Sequence, residues 1–580
     1  MKPEDICVRK LSVYLAFVLL LISISVSCWH VTGAHRIHNY PKEVIFWMMP
    51  NGPIKEITPT KEEINEFAEK YDLKFEITDP SGEFPPHLGN GSHIVIVDLN
   101  IVDWASVISQ TSILKEIDIF EKAHPDIKIK LKIIGWRSAH EEVLKAASKK
   151  KYPHPDALQM PSTWTAEFAD KNILMPLTDK VKEDVDMGLQ QYYDCSLSSC
   201  KIEGYETLYA IPWFLDARVM YYWKDIFNEA DLTEKDIKNW NALENACKAL
   251  NKQFNGNITA FGIPGGKEGK GKEWVLGHNI IPWIYGSGGK MINYKPSGER
   301  ELCLSKEKVR DGMTFYIDLS LNGYTGSEDF NSTATEIDNG FVNRRYAMVY
   351  SGPWLLKLLK DLNVDKEGKI KSENVGTALP PAGKAGTYTF IGGSNLAIWR
   401  KSGNSDEAWE FIKFLSTNKE SQTRYANATA MIPASREALD DWAKMDPLLN
   451  PFRDALIAGY GRSFPSIPEW GRIENILVDD LNSMWKIVGN QTLPPDKRKS
   501  MAIKKLEEID KKCYTILNGL PPSIVSKILF FIKFLGIILW EAIVGAIVGY
   551  ALTRLIDFLR RKKVKEKERL NSINREESIQ

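Results

Sequence analysis

Glu116-Ile-Asp-Ile-Phe-Glu-Lys-Ala-His124-Pro125, followed at once by Ile127-Lys-Ile-Lys-Leu-Lys-Ile-Ile134, is the stretch on which the fold turns. Its first half reads as a helix that ends at Pro125, a residue that cannot continue one. Its second half alternates apolar and basic residues with period two, the pattern of a half-buried strand. A helix handing over to a strand through a Pro turn is an entry unit of an α/β fold. Upstream, Val44-Ile-Phe-Trp47-Met-Met-Pro50-Asn-Gly52 reads as a strand, 61–70 as a helix and 73–77 as a second strand, with Ile94 to Val97 heading another copy of the same order. Residues 36–93 are therefore expected to form an accessory or partially repeated β-α-β segment, and 94–517 the main domain. Downstream, apolar residues at three- and four-residue spacing predict helices over 405–416, 419–426 and 472–486.

The chain has 580 residues, 43% of them apolar and 26% charged, the proportions of a folded protein of several domain-sized units. Its 75 basic residues balance 75 acidic ones, which removes the electrostatic footprint of a nucleic-acid binder. Trp occurs 17 times, more than core filling usually demands, and indole suits stacking on flat apolar ligand faces. The cysteines at 7, 28, 195, 200, 247, 303 and 513 are too few for a disulfide scaffold. Cys195 and Cys200 flank the turn-like Ser-Leu-Ser-Ser and are either a bridge or two free thiols.

Both ends are hydrophobic. Arg9 and Lys10 precede an apolar run over 11–26, so 1–35 reads as an export signal or an N-terminal anchor. Ser25-Val26-Ser27-Cys28 is an imperfect lipoprotein box, with Ser25 where Leu is usual. From Phe534 to Thr553 the only charge is Glu541, and about 20 such residues suffice to cross the hydrocarbon layer. A transmembrane helix is expected within 528–553, the alternative being an amphipathic helix lying on the surface. Gly545 and Gly549 would let two such helices approach, and Glu541 calls for a partner in the span. Arg554, Arg560, Arg561, Lys562, Lys563, Lys565, Lys567 and Arg569 follow directly, which puts the basic tail 554–580 in the cytoplasm and the preceding domain outside.

Signals for catalysis are missing. The nine His residues form no His-Glu-x-x-His motif and no Gly-x-Ser-x-Gly elbow is present. Gly266 with Gly271-Lys272 brushes a phosphate-loop pattern, but Glu273 stands where Ser or Thr must reach the metal. Asp479 and Asp480 point to different faces of a helix. No catalytic residue, metal site or cofactor is expected.

Over about 94–517 the chain resembles the extracellular solute-binding proteins of ABC importers, the family of the maltose and trehalose receptors. The residues that carry this are His124-Pro125-Asp126-Ile127-Lys128-Ile129; Tyr152-Pro-His-Pro155-Asp156-Ala-Leu-Gln159 with Ser162-Thr163-Trp164; and Tyr209-Ala-Ile-Pro212-Trp213-Phe214-Leu-Asp216-Ala-Arg218-Val-Met-Tyr-Tyr222 with Lys224-Asp225-Ile-Phe227. They continue with Phe341, Ala347-Met348 and Ser351-Gly352-Pro353-Trp354; Phe390-Ile-Gly392-Gly393-Ser394-Asn395-Leu-Ala-Ile398; Ala408-Trp409-Glu-Phe411-Ile-Lys-Phe-Leu415; and Ile432-Pro433-Ala434. The resemblance implies an α/β fold of the two-lobed periplasmic-binding-protein type II class, with a ligand held between lobes that close by a hinge. It implies a carbohydrate as ligand, because Trp and Tyr cover C–H faces while polar groups bind the hydroxyl rim.

On that resemblance Trp213 and Trp354 are expected as stacking platforms, Asp216 as a hydroxyl acceptor and the Gly392-Gly393 backbone as close-approach donors, with Trp164, Trp283 and Trp470 as further candidates. Against these stand packing for each Trp, pairing of Asp216 with Arg218 or a helix cap, and a mere backbone requirement at the glycines. The expected partners are ABC transporter permease subunits and the membrane; a rival reading makes the chain a receptor subunit that senses the ligand and signals to a membrane partner. Asn427-Ala-Thr429-Ala430 departs from the Thr-Gly step usual before the Ile-Pro, and 41–92 and the C-terminal span have no clear family counterpart.

Overall fold

The computed structural model describes residues 41–51, 74–77, 93–96, 104–149, 151–266, 274–361 and 374–519, with a few positions beyond them. By its internal contacts the chain divides into two units, Met1–Ile292 with Cys303–Ile509, and Asn293–Leu302 with Asp510–Gln580.

Among the described residues the first unit is built on two large sheets, beside one two-stranded pair. Strands are numbered along the chain. In the larger sheet, of seven strands, the order is β14 (Ile432–Pro433), β6 (Ile211–Ala217), β13 (Thr389–Ile398), β5 (Ala157–Pro161), β1 (Lys42–Met48), β4 (Ile127–Ile133), with β15 (Gly461–Arg462) alongside β13. The smaller has the order β12 (Val375–Ala378), β7 (Val219–Trp223), β11 (Tyr346–Ser351), β8 (Thr259–Gly262). Position in the sheet explains composition: Ile-Lys-Ile-Lys-Leu-Lys-Ile of β4 is at an edge and its lysines reach water, whereas β6 and β7 lie inside and are buried almost throughout. The helix expected before β4 is present and longer than its periodicity indicated, α1 (Trp104–Ala123).

The segment 42–48, expected in an accessory unit, is instead an inner strand of the large sheet. β1 pairs in parallel with β4 from Lys42↔Ile127 to Met48↔Ile133, and with β5 through Phe46↔Ala157. Its buried polar fastenings are Ile45 N to Asp156 Oδ2 at 2.9 Å and Met49 N to Gln159 Oε1 at 2.6 Å. Parallel partners lie far apart in sequence, so no local pattern announces them. The main domain therefore begins before residue 94. Among the described residues β2 (Lys74–Ile77) and β3 (His93–Ile96) pair with each other and with no other strand. The helix expected over 61–70 lies outside the described residues.

Helices expected toward the C-terminus are present as α3 (Ser405–Thr417), α4 (Lys419–Thr429) and α5 (Trp470–Gly489), with α2 (Val275–His278) a single turn earlier in the chain. Arg424 of α4 grips Glu116 of α1 at 2.9 and 2.7 Å, a two-point ion pair whose carboxylate is buried. At Ala430, where the usual glycine is missing, the backbone is still left-handed, with φ 54.

At the start of the second unit, β9 (Ile292–Tyr294), which begins on the last residue of the preceding stretch, pairs with β10 (Arg300–Leu302). The Asn518 amide bridges Arg300 at both main-chain groups, accepting from its N at 2.8 Å and donating to its O at 2.7 Å. Among the described residues no helix is long and apolar enough to cross a membrane. The span expected within 528–553 and the leader 1–35 lie outside the described residues, as does most of the phosphate-loop-like stretch.

Candidate functional site

β6 ends at Ala217 and β7 begins at Val219, so the chain passes from the large sheet to the small one through Arg218 alone. Register gathers the neighbours of that step: Asp216 lies opposite Gly392 and Ala217 opposite Ile391 on one side, Val219 opposite Ser351 on the other. The crossing is stitched by hydroxyls. Thr389 Oγ1 donates to Arg218 O at 2.6 Å, Tyr350 Oη lies 2.8 Å from Thr389 Oγ1, and Tyr221 Oη donates to Gly352 O at 2.8 Å.

Around this joint the structure brings together Asp216, Trp354 and the glycine pair, and adds residues that sequence reasoning did not single out. Arg218 is 2% exposed. Its Nη1 pairs with Asp216 Oδ1, its Nη2 lies 3.2 Å from His278 Nδ1, and its guanidinium sits 4.3 Å over the Trp354 ring. The far end of that indole donates from Nε1 to Asp338 Oδ2 at 2.8 Å, and Ser351 Oγ donates to the same carboxylate at 3.1 Å. Asp338 comes from a helix of its own, Ala334–Val342.

Ser351-Gly352-Pro353-Trp354 is thus readable atom by atom. Ser351 binds Asp338; Gly352 is bare because a Cβ there would fall 2.1 Å from the Trp354 ring; Pro353 opens the helix Pro353–Asp361, a place that needs no N–H. Burial pushes the Asp338 carboxyl up to about 6 against its two hydrogen bonds. Asp216 is also raised, by burial that the Arg218 cation only partly offsets.

An aromatic wall completes the cluster. His278 stacks on Phe390 with centroids 3.9 Å apart and planes at 8°; Phe390 lies 5.3 Å from Phe464, and Phe464 4.8 Å from Trp470. Burial and the Arg218 cation together hold His278 well below the usual imidazole range. Trp354, Asp216 and His278 keep part of their surface open. These three, an indole, a carboxylate and an imidazole held in place by the buried Arg218 and Asp338, can grip a polar ring with apolar faces. Among the described residues no group of three or more His, Cys, Asp or Glu could hold a metal.

Other candidates are corrected by packing. Trp213 is 1% exposed, stacked on Tyr425 at 4.5 Å with Phe46 and Phe214 beside it, so no face is open to serve as a platform. Trp164 is covered by His140 and Phe168, Trp283 by Trp240, Phe315 and Tyr316, and Trp470 is fully buried. Gly393 answers a backbone need, with φ 133 and Phe214 O only 2.3 Å from where a Cβ would stand. At Gly392 a Cβ would meet the Phe390 ring at 2.6 Å.

Cys195 and Cys200 are free thiols. Cys195 lies in the helix Asp194–Ser198 and Cys200 beyond its end, buried with Sγ 3.6 Å from Ser196 O.

The crossing motif does contain a signal for Arg218, which the sequence presents as a partner of Asp216. None marked Asp338 or His278, which arrive from remote helices.

Comparison with known proteins agrees with this architecture. Residues 104–422 match the family described as bacterial extracellular solute-binding protein. Diacetylchitobiose binding protein DasA of Streptomyces coelicolor is 24% identical over 64% of this chain and 79% of its own. The maltotriose-binding protein of Pyrococcus abyssi is 24% identical over 55% and 63%. Among solved structures, the sugar-binding protein MalE from Xanthomonas citri superposes with a TM-score of 0.60 at 21% identity, covering 82% of this chain and all of that one, which shows a common two-lobed fold.

Proposed function

The chain belongs to the bacterial extracellular solute-binding protein family, and from that premise we propose that it captures a carbohydrate, an oligosaccharide by preference, between its two sheets and delivers it to the permease subunits of an ABC importer. The observation that carries this reading is the one-residue crossing at Arg218, which assembles Asp216, Asp338, Trp354 and His278 from both sides of a joint. A sugar offers what such a cluster can use, C–H faces for Trp354 and a hydroxyl for the partly open Asp216 carboxylate, while Asp338 holds the indole from behind. The names of the relatives from Streptomyces and Pyrococcus, both oligosaccharide binders, support the ligand class. In this reading the hydrophobic segment 534–553 tethers the binding unit on the outer face of the membrane, with the basic tail inside. We assign the chain binding alone, with no catalytic step.

The test is a titration of the full chain, in detergent, with a panel containing maltotriose and diacetylchitobiose, followed by Trp fluorescence and thermal midpoint. A ligand that binds only the folded state raises the midpoint. A fluorescence change with a raised midpoint for one sugar class supports the reading. No response to any sugar from a well-folded protein removes the carbohydrate assignment.

A further inference from the structure

Arg218 Nη2 and His278 Nδ1 lie 3.2 Å apart. A guanidinium has only donors, so Nδ1 must accept, and a neutral imidazole that accepts at Nδ1 carries its proton on Nε2. Turning the ring over about Cβ–Cγ would put Cδ2 where Nδ1 now meets the guanidinium, and the ring lies flat on Phe390 with Phe464 at 5.7 Å on another side, which opposes that turn. Nε2 makes no hydrogen bond among the described residues, and His278 keeps part of its surface open. The neighbouring Arg218 Nε is buried without a hydrogen-bond partner. A donor that a bound ligand takes out of water is costly unless a ligand oxygen meets it.

We infer that Arg218 locks His278 as a neutral Nε2–H tautomer, and that this Nε2–H is a specificity-determining donor for a hydroxyl, ring or glycosidic oxygen of the bound saccharide. For its ligand the inference rests on the functional reading above; for its tautomer it does not. The charged groups on the elements around the ring are Arg218 and, bonded to it, Asp216; beyond the Trp354 ring lies Asp338, Arg462 pairs along the backbone with Phe390, and α5, packed against α2, carries the buried Glu474. Of these, Arg218 is the one that acts on His278, and it acts with burial to keep the ring uncharged. The consequence is a histidine in a binding site that does not make binding depend on pH through the usual imidazole range.

Two measurements on the full chain in detergent decide it. Nitrogen NMR of histidine-labelled protein, with His278 assigned by its loss in His278→Gln, is expected to show a bare Nδ1 and a protonated Nε2 from about pH 5 to about pH 8. Titration within that window, or the opposite tautomer, overturns the lock. Binding is then compared for His278→Phe, which keeps a stacked ring without the donor, and His278→Gln, which keeps a donor near Nε2. With maltotriose or diacetylchitobiose as probe, whichever the unaltered protein binds, the Phe variant is expected to weaken binding about tenfold and the Gln variant by no more than about threefold, at unchanged thermal midpoint. Unchanged affinity in the Phe variant overturns the donor role. Should the unaltered protein bind no sugar, the ligand half falls together with the functional reading, whereas a titrating His278 beside intact sugar binding overturns the lock alone.

Discussion

Asp338 ties Trp354 to Ser351 from a buried position, and its carboxyl is pushed up to about 6 from an ordinary value near 3.8. The folded state therefore keeps this proton where the unfolded chain has lost it. By linkage, this group makes stability fall as pH rises from about 4 to about 6, and adds no further slope above that. Asp338→Asn removes the titration, so the difference in unfolding free energy between variant and parent is expected to change across that window by about 1 kcal/mol per pH unit and to be flat above it. Urea unfolding at a series of pH values reads this directly; parallel curves would count against it. A second prediction concerns Ala430, held at φ 54 where glycine has no Cβ to strain. Ala430→Gly is expected to raise stability by about 1 kcal/mol, seen as a higher urea midpoint at unchanged slope. The sequence marked this position correctly as a departure, because left-handed caps have a strong residue preference. It misjudged Trp213, because the motif around it speaks for the crossing strand as a whole, while every odd neighbour in β6 faces a core on one side or the other.

Among elements, β13 is the strand that joins the two halves of the large sheet, pairing with β5 on one edge and β6 on the other. Its weak point for substitution is Gly393, where the main chain of β6 leaves no room for a side chain. Gly393→Ala is expected to cost about 3 kcal/mol, from backbone strain and forced separation of the strands, and a parent-like melting curve would refute this. Arg424→Ala, which leaves the buried Glu116 carboxylate unpaired between α4 and α1, is expected to cost a similar amount, about 3 kcal/mol by chemical unfolding. The elements themselves were largely legible. α3, α4 and α5 have clear helical periodicity and were placed to within a few residues. β1 was read as a strand but given to the wrong unit, since its pairing with β4 and β5 is a property of distant residues and not of its own pattern. The cluster at Arg218 was half legible for the same reason: Asp216 and Trp354 stand in recognisable motifs, Asp338 and His278 in none.

At the scale of the whole molecule, the proposed topology makes its own prediction. A cysteine at Ser578→Cys is expected to react with a membrane-impermeant maleimide only after cells are opened, whereas one at the exposed Val185→Cys reacts in intact cells. Equal labelling of both would refute the cytoplasmic tail. The arrangement of strands also sets a timetable. The small sheet draws its strands from one stretch, Val219 to Ala378, whereas the large sheet needs β1 at its start and β13 beyond that whole stretch. A chain emerging N-terminus first holds the opening strands of the large sheet without their closing partner until β13 arrives. The small sheet can condense as soon as Ala378 is out. Long-range pairing is slow and leaves strand edges bare while it waits. The half completed last is thus the half begun first, and the large sheet of a newly made chain stays open until the greater part of that chain has been synthesised.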